Sequence, residues 1–551
     1  MVQSTTSSES VVLDPTAAAF GPSDTVESLG RTHFIGIGGA GMSVLAEMLH
    51  ERGVEVSGSD REANAKTERL ESLGVNVLFG QCEQNVEGAH TVVYSSAIKS
   101  DNPEIVAAAK GGARIVHRSD ILALLMASKC SISVAGAHGK TTTSSLITHI
   151  LVNAGEEADT HAGAVGIRLA DPSYAIGGSI QGADGVAIDG GHAGSGDVLV
   201  AEADESDGSF EKYRPQFALI TNAEADHLDH YGDAEHYRRA FVEYAAHAER
   251  HLIMSVDDGG ARSVIRAFPK DVMSKTVCYT TQPTRDIAQI IGQGAGEADA
   301  YSMGEVWSNG VGPQLVRILS ETESVESGME HFTIELPAGF AGYDKTRRIP
   351  VTLRVPGIHN VRNATAGIVT AVLLGMDPEL AASAASTFRG ASRRFEVNGV
   401  RDGVTVVDDY AHHPTEIAAL LDAARRRYPD GAIRVLFQPH LFSRTEFFAD
   451  RFAAALAKAD DVVIAPIYPA RERQEDFPGI TSQIIVDAAE AVNHCPQRDW
   501  IGASTDLREG AETLVHHAQP GDILITVGAG DVTTMDGVML EMLKRRAEEV
   551  L

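Results

Sequence analysis

Short apolar, β-branched runs alternate with helix-like stretches along most of the chain, and a glycine-rich or polar turn follows many of the runs. Near the start, this pattern predicts strands at residues 32–35, 54–58 and 91–94 and a helix at residues 42–52. Strands that alternate with helices are typical of parallel sheets in α/β proteins. We therefore predict a Rossmann-like unit at about residues 31–127.

The same alternation continues to the end of the chain. A strand at 131–135 and a helix at 144–151 belong to a middle unit at about residues 128–391, and a last unit occupies about residues 392–551. The predicted fold class is accordingly α/β, with three units. The runs that predict the other strands lie at residues 197–201, 217–222, 404–407, 433–437, 461–465 and 523–527.

Two stretches depart from this pattern. Residues 1–30 are rich in Ser and Thr and have neither the cationic start nor the apolar core of a signal peptide, so we predict a disordered tail. Residues 282–348 are rich in Gly, Ser and Glu, and alternate in polarity around Val306 and His331. With a hairpin signal at 308–310, this stretch predicts an antiparallel accessory region with little chemistry.

Charge and cysteine usage narrow the class of protein. The chain has 46 basic and 76 acidic residues, a net charge of −30, which argues against a nucleic-acid or anionic-membrane partner. No apolar run reaches about 18 residues, so no transmembrane helix is expected. The four cysteines are widely spaced and suit a reducing compartment, so we expect a cytoplasmic protein without a disulfide framework or zinc site.

A phosphate-binding loop is predicted between the strand at 131–135 and the helix that follows. Gly136 and Gly139 let backbone amides approach phosphate oxygens, Lys140 adds a positive charge, and the Thr141 hydroxyl can ligate Mg²⁺. The loop is shortened, because the full P-loop pattern has a glycine where this chain has Val134. The alternative is an ordinary glycine-rich turn with Lys140 on the surface.

A second glycine loop, Gly-x-Gly-x-x-Gly from Gly36 to Gly41, lies between the first strand and the first helix. Asp60 follows about 20 residues later, where an acidic side chain usually contacts a ribose hydroxyl. This arrangement predicts a pyrophosphate ligand but does not identify the base. An NAD-dependent oxidoreductase and a UDP-binding unit both remain open from these residues.

Acidic loops follow two strands of the middle unit. Residues 202–207 hold four carboxylates, which would repel one another without a cation, and Mg²⁺ prefers such oxygen ligands. His227 lies in a second acidic loop. The alternative for the first loop is a solvated acidic turn. Further along, Asn360 and Asn363 are three residues apart and share a helix face, although one of them could instead cap the helix.

In the last unit, four predicted strands end in polar, ionisable or glycine-rich loops, at residues 408–414, 438–444, 466–471 and 528–531. Ligands of open parallel sheets bind beyond the carboxyl ends of the strands, so these loops predict a working face. Arg444 suits a substrate carboxylate or a phosphate there.

Together these motifs resemble the Mur ligase family over nearly the whole chain after the tail. The resemblance is carried by residues 36–42, 137–143, 202–207, 224–228 and 408–414. It implies three domains: a Rossmann-like UDP-binding domain, a central P-loop ATPase domain and a C-terminal Rossmann-like domain. It also implies that the first unit binds a UDP-sugar rather than NAD.

Within the family, the motifs are most similar to members that join L-alanine to UDP-N-acetylmuramate in peptidoglycan precursor synthesis. The implied cofactors are ATP and Mg²⁺, with Mn²⁺ as a substitute ion. In the implied mechanism, the muramate carboxylate attacks the γ-phosphorus of ATP, and the amine of L-alanine then displaces phosphate from the acyl phosphate. The resemblance leaves either a monomer or a homodimer.

The resemblance also implies roles for individual residues. The metal ligands would be Thr141, Glu202 and His227, and the residues of the chemical step Lys140, His227, Arg394, His412 and Arg444. The nucleotide would contact Gly136, Ala137, His138, Gly139, Lys140, Thr141, Thr142, Asn360, Asn363, Asp409 and one of Arg393 and Arg394. The UDP-sugar would contact Gly38, Gly39, Ala40, Gly41, Asp60 and Ser96, and the amino-acid and acyl-phosphate end Tyr410, His412 and Arg444.

This chain departs from the family pattern at three places, one of which is the stretch at about 282–348, which is longer than usual. Close relatives have an arginine where Leu441 stands, so we expect carboxylate recognition to rest on Arg444. The loop at 476–479 reads Asp-Phe-Pro-Gly, where the family usually has Pro-Ile-Pro-Gly. Two competing functions are a related ligase that accepts a recycled peptide and an NAD-dependent oxidoreductase with a degenerate P-loop.

Overall fold

The computed structural model describes residues 11–161, 166–181, 187–188, 190–293, 312–320, 329–470, 472–492 and 500–549. Within these residues, three mixed or parallel sheets follow one another along the chain, each flanked by helices. This arrangement confirms the predicted three-domain α/β fold. Among the described helices, none combines the length and apolar character that a membrane crossing requires.

The first sheet is wholly parallel and has the strand order β3-β2-β1-β4-β5. The predicted strand at 54–58 is displaced by two residues, because the Val54 amide donates to the Leu49 carbonyl and still belongs to the end of the preceding helix. The elements are β1 (Thr32–Ile35), α1 (Ala40–Glu51), β2 (Val56–Asp60), α2 (Ala65–Ser72), β3 (Asn76–Phe79), β4 (Thr91–Tyr94), α3 (Pro103–Gly111), β5 (Arg114–His117) and α4 (Arg118–Ala127).

The central domain is built on a larger sheet. Its elements are β6 (Cys130–Ala135), α5 (Lys140–His161), β7 (Ser173–Ala175), β8 (Ile180–Gln181), β9 (Ala187–Ile188), β10 (Gly191–His192), β11 (Val198–Glu202), β12 (Phe217–Ile220), α6 (Leu228–Tyr231), α7 (Ala234–Ala246), β13 (His251–Ser255), α8 (Gly259–Arg266), α9 (Lys270–Ser274), β14 (Thr276–Thr280), α10 (Ile287–Gly292), β15 (Gln314–Ser320), β16 (Glu330–Leu336), β17 (Arg347–Leu353), α11 (Ile358–Leu373) and α12 (Pro378–Ser386). The strand order is β10-β7-β11-β6-β12-β13-β14-β15-β16-β17, and β8 and β9 form a separate pair.

Strand β6 lies in the middle of this sheet, between β11 and β12, and pairs parallel with both. All three strands are almost wholly buried, which is why they read as continuous apolar runs rather than as alternating patterns. Because parallel strands end at the same edge, the loops after residues 135, 202 and 220 must meet there. The fold thus brings the predicted phosphate loop beside the two predicted acidic loops.

The region at 282–348 is not a separate accessory unit. Strand β15 pairs parallel with β14, and β16 and β17 continue the sheet in antiparallel fashion. The antiparallel pairing agrees with the prediction, but the alternating apolar residues Val316, Ile318, Phe332 and Ile334 are buried in the central core. The predicted strand near Val306 and the hairpin at 308–310 lie outside the described residues.

The last sheet has the order β18-β19-β23-β20-β21-β22, antiparallel at β18 and parallel elsewhere. The four strands whose ends carry polar loops, β19, β23, β20 and β21, are neighbours, as the working-face hypothesis requires. The elements are β18 (Glu396–Arg401), β19 (Val404–Asp409), α13 (Pro414–Arg427), β20 (Ile433–Phe437), α14 (Phe442–Leu456), β21 (Asp461–Ile464), α15 (Gln483–Ala489), β22 (Ile501–Ala503), α16 (Leu507–His517), β23 (Ile523–Val527) and α17 (Met535–Glu549).

The prediction of a disordered tail is wrong from residue 11 onward. Residues Val26–Leu29 form a short 3-10 helix, whose Val26 and Leu29 side chains are buried against the first domain. The Lys212 ammonium of the central domain donates to the Pro15 carbonyl at 2.8 Å and to Asp120 of the first domain at 2.7 Å. Apolar anchors within a Ser- and Thr-rich stretch, together with this cation, hold the segment across the two domains.

Replacing Lys212 with methionine is expected to lower the melting temperature, because the Asp120 carboxylate would lose its cation. The two side chains are only 7% and 4% exposed. Removing one partner of a buried ion pair costs about 3–5 kcal/mol. Differential scanning calorimetry measures the shift.

The matched control is Lys458→Met. Its ion pair with Asp422 is also 2.7 Å long, but the two side chains are 42% and 61% exposed. Such a surface pair contributes about 1 kcal/mol at most. Equal melting-temperature shifts in the two variants would contradict the assigned role of the buried pair.

Candidate functional site

The phosphate loop depends on two glycines. Gly136 has φ of +138°, and a Cβ there would lie 2.1 Å from the Thr221 hydroxyl. Gly139 has φ of +82°, and a Cβ there would lie 2.9 Å from the Asn363 side chain. Both backbone conformations are strained for any other residue. The loop can therefore lie close against β12 and α11 only with glycine at these positions.

Lys140 opens helix α5, and its ammonium group is held by the loop itself. It donates to the Gly136 carbonyl at 2.7 Å and lies 2.8 Å from the carboxylate of Glu205. Burial lowers the pKa of Lys140, but the carboxylates of Glu205, Asp204 and Glu202 together outweigh burial and raise that pKa above its ordinary value. The same carboxylate is 3.8 Å from His227 Nε2. Glu205 thus joins the lysine to the predicted metal-site histidine.

Oxygen donors lie beside the lysine. The Thr141 hydroxyl donates to Glu202 at 3.3 Å, and the other Glu202 oxygen accepts from the Gly177 amide at 3.0 Å. Burial raises the pKa of Glu202, because it disfavours the charged carboxylate. A nearby cation would stabilise that charged form. Hydroxyl and carboxylate oxygens are ligands that Mg²⁺ prefers, so these residues fit a magnesium ion.

Two cavities lie on either side of the phosphate loop, with volumes of about 370 and 630 Å³. Of the predicted residues, the smaller cavity is lined by His138, Gly139, Thr142, Asn360, Asn363, Arg394 and Asp409. The larger is lined by Ala40, Gly41, Ala137, Gly139, Lys140, Thr141, Glu202, His227, Arg393, Arg394, Tyr410 and His412. Gly139 and Arg394 face both cavities, so the loop forms a common wall.

Asn360 and Asn363 both point into the smaller cavity, as their spacing predicts. Gly357, and neither asparagine, is the N-cap of α11. Asp409 faces them from the last domain and accepts hydrogen bonds from the Phe395 and Ala411 amides. Burial raises the pKa of Asp409 to about 6, which leaves it mainly ionised at neutral pH.

The two linker arginines make different contacts. Arg393 donates from Nε to Asp408 at 2.9 Å and from Nη2 to the Gly528 carbonyl at 2.7 Å. Its guanidinium is thereby committed to the last domain. Arg394 lines both cavities and is the better placed of the two to contact a phosphate group.

Some of the residues predicted to contact the UDP-sugar lie outside the lining of both cavities. One Asp60 oxygen already accepts from the Gly38 amide at 2.7 Å. Ser96 donates to Asp207 of the central domain and contacts His117 at 3.1 Å. Gly38, Gly39, Asp60 and Ser96 therefore do not line the larger cavity, whereas Ala40 and Gly41 do.

The last domain brings Tyr410 and His412 to the larger cavity. Burial lowers the pKa of His412 to about 3, so its imidazole is neutral at physiological pH. Arg444 lies outside the cavity lining and is bound to Asp226 of the central domain at 3.0 Å. Leu441, with φ of +71°, is buried at the N-terminus of α14 and offers no charge.

His138 of the phosphate loop contacts both other parts of the site. Its Nδ1 is 3.2 Å from Glu416 of the last domain, and its Nε2 is 3.4 Å from Glu224. Burial alone would lower the pKa of His138, but the two carboxylates raise it to about 9. His138, Glu224 and His413 have the spacing of a metal site. A protonated His138 disfavours a cation there, so we assign an ion-pair cluster instead.

Comparison with known proteins gives the family. Three family models match this chain. They describe the Mur ligase family catalytic domain at residues 31–130, the Mur ligase middle domain at 134–299 and the Mur ligase glutamate ligase domain at 393–530. The chain belongs to the Mur ligase family. The resemblance that the motifs carry is thereby confirmed.

Individual relatives cover almost the whole chain. It is 60% identical to UDP-N-acetylmuramate–L-alanine ligase of Bifidobacterium adolescentis, over 97% of this chain and 96% of that protein. The protein of the same name from Thermobifida fusca is 42% identical, over 94% and 98% of the two chains. The crystal structure of UDP-N-acetylmuramate–alanine ligase from Thermotoga maritima is 25% identical, with a TM-score of 0.68 and coverage of 94% and 99%.

Three residues of this Mur ligase site carry no sequence signal that predicts their place in it. Glu205 stood among four carboxylates, and spacing alone did not single it out. Glu416 lies three residues after His413, in a capping-box position of α13. A glutamate at such a position is explained by capping alone, so its contact with His138 is not predictable from sequence. Arg118 lines the larger cavity and pairs with Asp204 at 2.7 Å. Their partners are distant in sequence, so only the fold brings them together.

Replacing Glu416 with glutamine is expected to lower the pKa of His138, because the nearest carboxylate is removed while burial persists. The pKa should fall from about 9 by about one unit or more. Nuclear magnetic resonance titration of histidine-labelled Mur ligase measures it. Glu512→Gln, in an exposed pair with Arg508, is the control. An unchanged His138 pKa in Glu416→Gln would contradict the ion-pair cluster.

Proposed function

We propose that this Mur ligase joins L-alanine to the muramate carboxylate of UDP-N-acetylmuramate at the expense of ATP, in peptidoglycan precursor synthesis. The observation that carries the proposal is a phosphate loop with one cavity on each side. A nucleotide in the smaller cavity can present its γ-phosphate across the loop to a carboxylate in the larger one. The names of the relatives supply the substrates.

Nucleotide binding is proposed for the smaller cavity and the loop. The amides of residues 136–142 and the Lys140 ammonium would hold the phosphates, and Asn360, Asn363 and Asp409 would line the nucleoside end. Arg394 would bind the γ-phosphate, since it faces both cavities, while Arg393 would position it from the linker. The residues that line the two cavities support these assignments.

The UDP-sugar would enter the larger cavity along the first glycine loop. Ala40 and Gly41 line that cavity at the N-terminus of α1, where a helix favours an anionic group. We propose that the part of the larger cavity formed by Ala40 and Gly41 is supported by residues outside its lining, namely Gly38, Gly39, Asp60 and Ser96. The domain boundaries that go with this assignment are residues 31–127, 128–391 and 392–551.

In the first step, an oxygen of the muramate carboxylate attacks the γ-phosphorus, and ADP leaves. A carboxylate is a poor acylating agent, so phosphorylation supplies a leaving group. Lys140 and Arg394 would offset the negative charge that develops on the phosphoryl oxygens. Such a transfer depends mainly on holding the two reactants in line.

In the second step, the amine of L-alanine attacks the acyl carbon, the tetrahedral intermediate expels phosphate, and the amide nitrogen loses a proton. The departing phosphate takes up that proton, and the neutral imidazole of His412, which lines the cavity, would accept a hydrogen bond from the attacking amine. Tyr410 would hold the amino acid from the cavity lining, and Arg444 would exchange its present partner, Asp226, for the amino acid. Because Leu441 is uncharged, Arg444 is the proposed partner of the L-alanine carboxylate.

A divalent ion is proposed at Thr141, Glu202 and His227. When bound, Mg²⁺ neutralises phosphate charge, and Mn²⁺ can serve in the same oxygen-rich site. The widely spaced cysteines suit the cytoplasm, the proposed location. Either a monomer or a homodimer is compatible with the proposal.

The proposal is tested by assaying phosphate release with UDP-N-acetylmuramate, ATP and Mg²⁺, with and without L-alanine. Lys140→Ala is expected to reduce release by about 10²–10³-fold or more, because it removes a charge aimed at the phosphates. UDP-sugar binding, measured by calorimetry, should be unchanged, since that site lies mainly on another domain.

Three results would contradict this account. Without alanine-dependent release from the unmodified enzyme, the ligase assignment fails. Preference for a tripeptide over L-alanine would favour a ligase of recycled peptide. Loss of UDP-sugar affinity in a folded Lys140→Ala variant would refute the separation of the two sites. Lys458→Met, an exposed lysine, is the control.

Arg444→Ala is expected to raise KM for L-alanine while KM for ATP stays the same. A hydrogen bond to a charged group contributes about 1.5–3 kcal/mol, which corresponds to about 10–150-fold. Steady-state kinetics with varied L-alanine measures the change. Arg508→Ala removes an exposed arginine of α16 and serves as the control. An equal rise in both KM values would show that Arg444 serves domain closure and not amino-acid binding.

A further inference from the structure

Two buried aspartates in the last domain share one hydroxyl group. Asp408 at the end of β19 and Asp536 at the start of α17 are 1% and 5% exposed. The Thr526 hydroxyl of β23 lies 2.9 Å from one Asp408 oxygen and 2.7 Å from one Asp536 oxygen. A hydroxyl carries one proton and can donate to only one of them. The other contact needs a proton on the carboxyl group.

The neighbouring groups decide which carboxyl carries that proton. Asp408 also accepts from Arg393 Nε at 2.9 Å and from the Thr533 hydroxyl at 2.7 Å. The second oxygen of Asp536 accepts only from the neutral amide of Asn398, at 2.9 Å, among the hydrogen bonds of the described residues. The cation thus stabilises the charge of Asp408, and the proton belongs on Asp536.

Electrostatics agrees with this arrangement. Burial, followed by the charge of Asp408, raises the pKa of Asp536 to about 7. The groups that face Asp536 are Asp408 from β19, Thr526 from β23, Asn398 from β18 and Arg393 from the linker. At neutral pH a chain of donation can therefore run from Asp536 to Thr526 and on to Asp408.

Asp408 in turn fixes the linker. Arg393 is not a glycine but has φ of +58°, so its contacts must hold this backbone in place. Its amide donates to Glu396, its carbonyl accepts from the Tyr410 amide at 2.7 Å, and its guanidinium lies 4.9 Å from the centre of the Tyr410 ring. Arg394, the next residue, faces both cavities.

We propose that Asp536 is a positioning residue that works in its protonated form: it donates to Thr526, which donates to Asp408, and so fixes Arg393, Arg394 and Tyr410. The role of the last two rests on the proposed function. When Asp536 ionises, one hydroxyl faces two buried carboxylates and a single arginine. The linker then loses its fixed geometry.

The test compares wild-type enzyme with Asp536→Asn between pH 6 and pH 9. The amide nitrogen can replace the carboxyl proton as donor to Thr526, and the amide oxygen can still accept from Asn398. We expect KM for ATP to rise several-fold above pH 7 in the wild type and to stay level in the variant. All other titrating groups are common to both proteins, so identical pH profiles would overturn the proposal.

Two readouts are independent of ligase activity. Infrared difference spectra of wild type minus Asp536→Asn at pH 6 should contain the band of a protonated carboxyl group. Because a raised pKa makes the folded state hold a proton that the unfolded state releases, wild-type stability falls as pH rises from about 4 to about 7. The melting temperature of Asp536→Asn should therefore gain on that of the wild type over this window.

Absence of the band, or a constant difference in melting temperature, would refute a protonated Asp536 even if the enzyme is active. Failure of alanine-dependent phosphate release would instead refute the proposed function and leave these two readouts valid. Thr526→Ser keeps the hydroxyl and should retain the wild-type KM, whereas Thr526→Val removes it and should raise KM at every pH. Equal behaviour of the two variants would contradict the donation through Thr526.

Discussion

The ammonium group of Lys140 lies where water is largely excluded, and its side chain is 17% exposed. A cation there requires an anion, and Glu205 supplies it at 2.8 Å. A phosphate that binds the loop must replace part of the interaction between the Lys140 ammonium and the Glu205 carboxylate. The released Glu205 charge then faces His227, which lies 3.8 Å away. Phosphate binding and the proposed metal site are therefore linked through one carboxylate.

Several contacts of the last domain with the central domain also end on the loops near Lys140. Arg444 reaches Asp226, Glu416 reaches His138, and the Thr415 hydroxyl donates to Glu224 at 2.8 Å. Thr415, Glu416 and Glu224 line the smaller cavity, where the nucleotide is proposed to bind, and Asp226 lines the larger one. If the nucleotide binds in the proposed cavity, we expect it to affect these contacts and with them the position of the last domain.

Much of this organisation follows from local sequence. Buried parallel strands such as β6 need continuous apolar runs, and Gly136 and Gly139 mark a backbone that no other residue adopts easily. Contacts between distant segments were not predictable in this way. Lys212 and the buried Val26 and Leu29 hold residues 11–30, and Asp408 holds the guanidinium of Arg393. Sequence alone does not distinguish these adjacent arginines, because the difference lies in their contacts with residues distant in the chain.

The central claim is that a phosphoryl group crosses the loop from the smaller cavity to a carboxylate in the larger one. It is tested most directly with UDP-N-acetylmuramate whose carboxylate oxygens are ¹⁸O, turned over with ATP and L-alanine. The attacking oxygen stays with phosphorus when the amine displaces phosphate. Mass spectrometry should therefore find one ¹⁸O atom in each phosphate released; phosphate without the label would contradict the account.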